Sequence, residues 1–210
     1  MPRPKTVLQS EFPYHIGARS INREWFELPM CEVWQLMAEQ LHFVHHAFKL
    51  RIHAFVLMHN HFHLIASTPD GNLSEAMAWF MRETSRSLTR AGNRINQSYG
   101  GRHYRSVMAT PIYYLNAYKY LYRNPVQAGL CESVQDYPFS TLSGLLGHRH
   151  LLIPVGDDQT LFSDIEGTLS WLNHQPKAED WEAVKRALHR PEFAFPRPNN
   201  RPHHLEFDAL

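Results

Sequence analysis

His61 and His63 are the first residues whose types and spacing could support chemistry, because they flank Phe62 in a β-rich run of the chain. Side chains alternate faces along a strand, so both imidazoles should project to one side of a sheet and Phe62 to the other. Two neighbouring imidazoles on one face are suited to hold a metal ion. The chain contains 15 histidines, so a structural pair is an open alternative that the spacing alone does not exclude.

A tyrosine-rich helix supplies a candidate nucleophile. The tyrosines of this segment are Tyr113, Tyr114, Tyr118, Tyr120 and Tyr122. At about 100° per residue, one side of the helix collects an apolar stripe made of Tyr114, Leu115, Tyr118, Leu121 and Tyr122. Tyr120 falls outside this stripe and has Asn124 one turn further on, so a phenol and an amide oxygen share one surface. Tyr113 is the competing nucleophile on that side, but its i+4 neighbour, Ala117, offers no ligand atom.

Positive charge is concentrated locally although the net charge is only +1. Arg82, Arg86 and Arg90 follow an i, i+4, i+8 spacing, which places them on one face of a helix. The full set of predicted DNA contacts also includes Arg94, Arg102, Arg105 and Arg19. A solvated surface without a partner is the alternative, but Glu83 is the only acidic residue that opposes the stripe, so phosphate contact is favoured.

The hydrophobic patterns predict the elements that position these residues. The predicted strands are 13–21, 50–57, 61–67 and 105–110, and the predicted helices are 28–48, 72–91 and one from Pro111 to about Asn124. The helix should end at Asn124 because Pro125 disfavours helical geometry in the residue before it. The resulting order, β-α-β-β-α-β-α, predicts an α+β fold of the split βαβ type, with an antiparallel sheet and helices on one face.

Composition and organisation limit the class of protein. The chain is 43% hydrophobic and 20% charged, and we find no apolar run long enough to span a membrane, so we expect a cytoplasmic, nucleoid-associated protein with no membrane partner. The two cysteines are far apart and predict neither a zinc knuckle nor a disulfide framework. We expect a catalytic domain over 6–147 and an extension over 148–210, helical at first and ending in a tail rich in Pro, Arg and His.

Two motifs carry a resemblance to a known family. The run LMHNHFHLI, at 57–65, and the run YLYRNPVQAGL, at 120–130, resemble the single-tyrosine HUH transposases of the IS200-like superfamily, and in particular the REP-associated tyrosine transposases. The similarity extends over about 12–147 and includes PYHIGARS in the first strand and DYPFSTLSGLLG after the tyrosine helix. His59 departs from the family pattern, in which a proline precedes the Asn-His pair.

The resemblance implies a function as well as a fold. It implies that His61 and His63 bind a divalent ion, Mg²⁺ or Mn²⁺, that Asn124 completes the metal site and that Tyr120 is the nucleophile. The expected substrate is single-stranded DNA beside a hairpin, as in REP elements, cut through a 5′-phosphotyrosine intermediate by a monomer or homodimer. The alternatives are a domesticated DNA-binding protein that no longer cuts, an RNA-binding module and a metal-dependent hydrolase that uses water.

Overall fold

A four-stranded antiparallel sheet forms the centre of the computed structural model, which describes residues 8–93, 97–197 and 201–210. Its strands are β1 (Tyr14–Arg19), β2 (Arg51–Leu57), β3 (His61–Ser67) and β4 (Tyr104–Val107). They lie in the order β2-β3-β1-β4, and each neighbouring pair is antiparallel. The sheet confirms the predicted α+β class, and β1 and β3 occupy its centre.

Seven helices accompany the sheet in the described residues. They are α1 (Met30–Phe48), α2 (Leu73–Ala91), α3 (Pro111–Gln127), α4 (Thr141–Leu145), α5 (Gln159–Phe162), α6 (Ile165–Asn173) and α7 (Ala178–Leu188). The side chain of Thr110 accepts a hydrogen bond from the amide of Tyr113 and so caps α3, while Pro111 occupies its first turn. This arrangement suits a proline, which has no amide hydrogen to donate.

One face of the sheet packs against α1 and α2. Phe62, Leu64 and Ala66 of β3 point into this core and are fully buried. The ring centroid of Phe62 lies 5.9 Å from that of Phe55 in β2 and 5.4 Å from that of Phe80 in α2. Every second residue of β3 is therefore apolar because it faces the core beneath α1 and α2.

The other face of the sheet is covered as well, by α3 and by residues from the extension. Ala54, Val56 and Ile65 contribute to this second core from the sheet. The prediction of helices on one face therefore holds for α1 and α2, whereas α3 lies on the opposite face. The extension also covers α3 from outside, so that every residue from Asn116 to Arg123 is buried.

The end of α3 differs from the prediction. The helix continues to Gln127 with Pro125 inside it. The carbonyl of Asn124 still accepts a hydrogen bond from the amide of Ala128, and the carbonyl of Pro125 accepts one from Leu130. These bonds satisfy the carbonyls of Asn124 and Pro125 in the last turn. Pro125 has no amide hydrogen to donate, so it removes one helical hydrogen bond without ending the helix.

Charged and polar side chains of α3 hold the extension in place. The Lys119 ammonium, which is fully buried, donates to the main-chain oxygen of Leu210 at 2.8 Å. The guanidinium of Arg123 donates to the carbonyls of Leu172 and Asn173 at the end of α6, at 3.2 and 2.6 Å. Residues 201–210 are thus packed onto α3, which the predicted Pro-rich tail did not imply.

The described residues include no helix that is both long enough and apolar enough to cross a lipid bilayer.

A pair of substitutions tests the packing of residues 201–210. Leu205 is 3% exposed in the core beside α3, whereas Phe207, two positions later, is 76% exposed. We expect Leu205→Ala to lower the free energy of unfolding by roughly 2–5 kcal/mol because it leaves a cavity. Phe207→Ala should change it by no more than about 0.5 kcal/mol, as surface changes usually do. Urea denaturation of both variants measures the difference, and equal effects would contradict the packing.

Candidate active site

The alternation along β3 places His61 and His63 on the face of the sheet that α3 covers. Phe62 between them is fixed in the opposite core, so a strand geometry leaves both imidazoles on the α3 side. Their ring centroids are 5.0 Å apart, with the rings at 86° to each other. His63 is buried and His61 is partly exposed. The predicted pair is therefore brought together, with one ring open to solvent.

A neighbouring amide orients His61. The side-chain oxygen of Asn60 lies 2.6 Å from Nδ1 of His61. An amide oxygen can only accept, so Nδ1 must carry the proton and Nε2 must keep its lone pair. Burial, and secondarily the charge of Arg19, lowers the pKa of His61 to about 4. A neutral ring with a free Nε2 is the form that binds a metal ion.

His63 is oriented by two residues from other strands. Its Nδ1 lies 3.0 Å from Nε2 of His15 in β1 and 3.3 Å from the hydroxyl of Tyr104 in β4. Its Nε2 is buried and finds no hydrogen-bond partner in the described part of the chain. Burial, with the nearby histidines and Arg19, holds the pKa of His63 well below its usual value. The cluster of His15, His61 and His63, called the histidine cluster below, is thus neutral at physiological pH.

Tyr120 meets the histidine cluster from α3. Its ring centroid lies 5.6 Å from that of His63 and 6.4 Å from that of His15. Trp181 of α7 stacks on its other side at 4.5 Å, and the residue is only 7% exposed. Burial raises the pKa of Tyr120, against the effect of a side-chain hydrogen bond with Asn124, so the phenol is protonated at neutral pH.

The other tyrosines of α3 are committed elsewhere. The hydroxyl of Tyr118 donates to Asp158 at 2.7 Å, and the hydroxyl of Tyr122 lies 2.9 Å from that of Thr141. The ring of Tyr113 packs against Phe193 and Phe195, at 4.9 and 6.0 Å. Among the tyrosines of this helix, Tyr120 is the one whose ring contacts the histidine cluster in the described residues.

Three residues of the site were not predicted from the sequence: His15, Tyr104 and Trp181. His15 lies in the run PYHIGARS, but its role depends on the pairing of β1 with β3, in which Gly17 is opposite His63. Tyr104 lies opposite Gly17 on the other side of β1. Strand register between distant segments cannot be read from local patterns, and Trp181 comes from the extension, where no motif marks it.

The predicted arginines fall into two groups. Arg82, Arg86 and Arg90 are exposed and line an open groove together with Gln97, Tyr99 and Gly101. Glu83 lies 2.9 Å from Arg82 and 3.3 Å from Arg86. The rest of the set was Arg19, Arg94, Arg102 and Arg105. Arg94 lies outside the described residues.

The remaining arginines differ in their surroundings. Arg19 and Arg102 are exposed, and the charge of Arg19 lowers the pKa of His61, His63 and His189. Arg105 is half-buried and donates towards Ser74 and His103, at 3.3 and 3.2 Å. Arg19 is therefore the predicted arginine whose charge acts on the histidine cluster. The guanidinium of Arg105 already makes hydrogen bonds within the protein.

The arrangement fits a metal site in its donor atoms. His63 Nε2 is a buried nitrogen without a partner in the described residues, and Asn60 leaves Nε2 of His61 free to bind. Such orphaned polar atoms are rare in folded proteins and call for an explanation. Within the described chain, no third His, Cys, Asp or Glu completes a metal-binding group with this pair. The predicted third ligand, Asn124, lies on α3, where its amide nitrogen donates to the carbonyl of Tyr120 at 3.3 Å.

The close fit of Tyr104 against Gly17 gives a test of how the cluster is held. A Cβ on Gly17 would lie 2.2 Å from the hydroxyl of Tyr104. Gly17→Ala must therefore displace the Tyr104 ring from His63, and we expect it to lower the free energy of unfolding by about 1–3 kcal/mol. In a Tyr104→Ala background the same change should cost much less, giving a coupling of about 0.5–3 kcal/mol. Additive effects in urea denaturation would contradict this contact.

Comparison with known proteins finds a matching family. Residues 9–109 match the protein family described as "Transposase IS200 like". A REP-associated tyrosine transposase of Escherichia coli (strain K12) is 27% identical over 143 residues, covering 65% of this chain and 85% of that protein. A solved structure of a REP-associated tyrosine transposase bound to a REP hairpin is similar with a TM-score of 0.59 and 23% identity, over 75% of this chain and 93% of that one.

The family match and the candidate site overlap in part. The matched residues contain the four strands with the histidine cluster, and they end before α3, which carries Tyr120 and Asn124. The likeness to the solved structure shows the same fold. The resemblance predicted from the two motifs is thereby confirmed: residues 9–109 of this chain match the IS200-like transposase family, and the chain is similar to REP-associated tyrosine transposases.

Proposed function

We propose that this protein is a metal-dependent single-strand DNA endonuclease and strand transferase of the HUH type. The observation that carries the proposal is the meeting of Tyr120 with His63, whose ring centroids are 5.6 Å apart although the two residues lie on different elements. A phenol beside two neutral imidazoles with free nitrogens combines a nucleophile with a place for a metal ion. A structural histidine pair would not need the tyrosine.

The metal ligands in this proposal are His61, His63 and Asn124, and the ion is Mg²⁺ or Mn²⁺. When bound, such an ion supplies Lewis-acid polarisation of the scissile phosphate and offsets the charge that develops on it. The chain itself supplies the orientation of the ligands, since Asn60 fixes His61 and both His15 and Tyr104 hold Nδ1 of His63. Partners behind metal ligands set the tautomer and position of the rings.

Tyr120 performs the covalent step. Its oxygen attacks the phosphorus, a bond from phosphorus to the 3′ oxygen of the DNA breaks, and the phenol proton ends on that oxygen or on water. The product is a 5′-phosphotyrosine and a free 3′ hydroxyl. A 3′ hydroxyl can later attack the phosphotyrosine, which restores the phenol and rejoins DNA without ATP. Burial keeps this phenol protonated, so it needs the cations around it to become a good nucleophile.

Hairpin-flanked single-stranded DNA is the substrate class we propose, with REP elements as the example. The solved relative is described as bound to a REP hairpin. In this chain the exposed arginines of α2 line a groove, where they can contact phosphates in place of Glu83. Arg19 adds a cation beside the histidine cluster, suited to the backbone near the scissile phosphate.

A second candidate function is DNA binding without cleavage. The observation in its favour is that Trp181 stacks directly on the Tyr120 ring and leaves the residue 7% exposed. A nucleophile covered in this way must be uncovered before it can reach a phosphate. A protein that keeps Tyr120 covered would recognise structured DNA and leave the DNA intact. The search for a covalent adduct distinguishes this function from cleavage.

The decisive experiment is the search for a covalent protein–DNA adduct. We expect the protein, incubated with labelled hairpin oligonucleotides that carry single-stranded flanks and with Mg²⁺ or Mn²⁺, to form an adduct that survives denaturing electrophoresis. Tyr120→Phe removes the hydroxyl and keeps the ring against Trp181, so folding and DNA binding should persist while the adduct disappears. Tyr113→Phe is the matched control on the same helix and should still form it.

Further arms of this experiment test the metal. EDTA, or the change His63→Ala, should abolish the adduct and leave DNA binding largely intact, because the arginines supply the affinity. Mass spectrometry of the digested adduct should place the nucleotide on Tyr120. Binding of the hairpin with no adduct under any metal condition would favour the second candidate, and an adduct on another tyrosine would refute the assigned nucleophile.

The arginine groove gives an independent prediction on affinity. Each phosphate contact on single-stranded or duplex DNA contributes about 0.7–0.9 to the slope of log K against log salt. The triple change of Arg82, Arg86 and Arg90 to Ala should therefore weaken hairpin binding and reduce that slope by about 2 to 3. The control removes three exposed lysines elsewhere, Lys49, Lys177 and Lys185. If the two triple variants showed the same slope, specific phosphate contact by the groove would be excluded.

A further inference from the structure

A second cluster of ligand-type side chains lies outside the histidine cluster. Asp180 of α7 comes together with His203 and His204, and their candidate ligand atoms all lie within 4.8 Å of one another. The three residues line a groove between α7 and the segments 194–197 and 203–206. None of them was singled out in the sequence, because His203 lies 23 positions after Asp180.

Asp180 is the unusual member of this cluster. The residue is 7% exposed, and its Oδ1 atom has no hydrogen-bond partner among the described residues. Nε2 of His204 comes within 3.0 Å of that oxygen, at ion-pair distance but without the angles of a hydrogen bond. That oxygen has an ion-pair contact but no hydrogen bond, and a carboxylate oxygen that is nine-tenths buried without a hydrogen bond is costly. A cation held between Asp180 and His204 would satisfy it.

The two histidines lie side by side, and one ring would have to turn for both lone pairs to reach one ion. The ring of His203 stacks between those of Phe195 and His204, at 4.9 and 4.5 Å, which fixes its plane. Its Nδ1 accepts a long hydrogen bond of 3.3 Å from the amide of Leu205. Metal binding through either ring nitrogen would give up that weak contact, because Nδ1 would then hold either the metal or the proton. The contact of His204 with Asp180 would be replaced by the bonds of both groups to the ion.

We propose that Asp180, His203 and His204 form a zinc-binding site. Two imidazoles and one carboxylate are a ligand set that Zn²⁺ accepts. Bond lengths of about 2.0–2.2 Å in a tetrahedral site place ligand atoms roughly 3.3 Å apart, close to the 3.0 Å between Asp180 and His204. The exposed side of His204 leaves room for water at the fourth position.

The site would fasten residues 201–210 to α7. The residue after Asp180 is Trp181, whose ring stacks on Tyr120. An ion at Asp180 would therefore stabilise the helix that covers the candidate nucleophile, without being part of the reaction. The ion pair of Arg197 with Glu206, at 2.6 Å, lies in the same groove.

The test measures Zn²⁺ binding in a chain that lacks the other candidate metal ligands. In a His61→Ala/His63→Ala background, stripped of metal with a chelator, we expect one equivalent of Zn²⁺ in competition with an indicator dye. Adding Asp180→Asn or His204→Ala should weaken binding by more than about tenfold, since even residues behind a metal ligand contribute about 10–100-fold. Zn²⁺ should also raise the Tm of the background protein, and that rise should be lost in Asp180→Asn.

Matched controls separate ligand loss from other effects. Glu179→Gln removes an exposed carboxylate of the same groove, and His148→Ala removes an exposed histidine outside it. Both should keep the one equivalent and the rise in Tm, and circular dichroism without metal should confirm that Asp180→Asn is folded. No Zn²⁺ binding by the background protein, or equal affinity in Asp180→Asn and Glu179→Gln, would overturn the proposal. Neither result depends on whether the protein cleaves DNA.

Discussion

The burial of Phe62 determines where the chemistry of this protein can occur. Its ring is fixed between Phe55 and Phe80 in the core beneath α1 and α2, and the two-residue period of the strand then directs His61 and His63 to the opposite face. A slip of one residue in the pairing of β3 would exchange the two sets, placing imidazoles in an apolar core and a phenyl ring at the site. Packing on one side of the sheet therefore specifies which side chains face α3 on the other.

The histidine cluster also depends on an electrostatic effect. His15, His61 and His63 lie close together, and as cations they would repel one another strongly. Burial lowers the pKa of His15 to about 3 and that of His61 to about 4, so the cluster is neutral and its nitrogens remain available to bind. Arg19 at the exposed end of β1 reinforces this effect and provides a permanent positive charge nearby. The site thus combines neutral donors inside with a cation at its edge, an arrangement suited to an anionic substrate.

Local patterns were sufficient for much of the fold. The alternation in 61–67, the turn before it and the helical spacing in 72–91 predicted β3, the hairpin and α2 closely, because each depends on neighbours in sequence. The sequence predicted one buried stripe on α3, but a second side of this helix is buried as well. Trp181 and the extension cover the side that carries Tyr120, and a residue that covers another from 61 positions away leaves no local signal. The same limit hid His15 and Tyr104, whose roles arise from strand register.

Lys119 and Arg123 have a consequence for how this protein can be altered by recombination or engineering. Both side chains are buried, and burial lowers the pKa of Lys119 to about 8. Each is satisfied by main-chain oxygens of the extension, at Leu210 and at Leu172 and Asn173. A chimera that joined α3 to a different C-terminal segment would leave two buried cations without acceptors, at a cost of several kcal/mol for each unpaired charge. Helix α3 and residues 148–210 are therefore one exchangeable unit, and a shorter scaffold could accept the tyrosine helix only with positions 119 and 123 replaced by apolar residues.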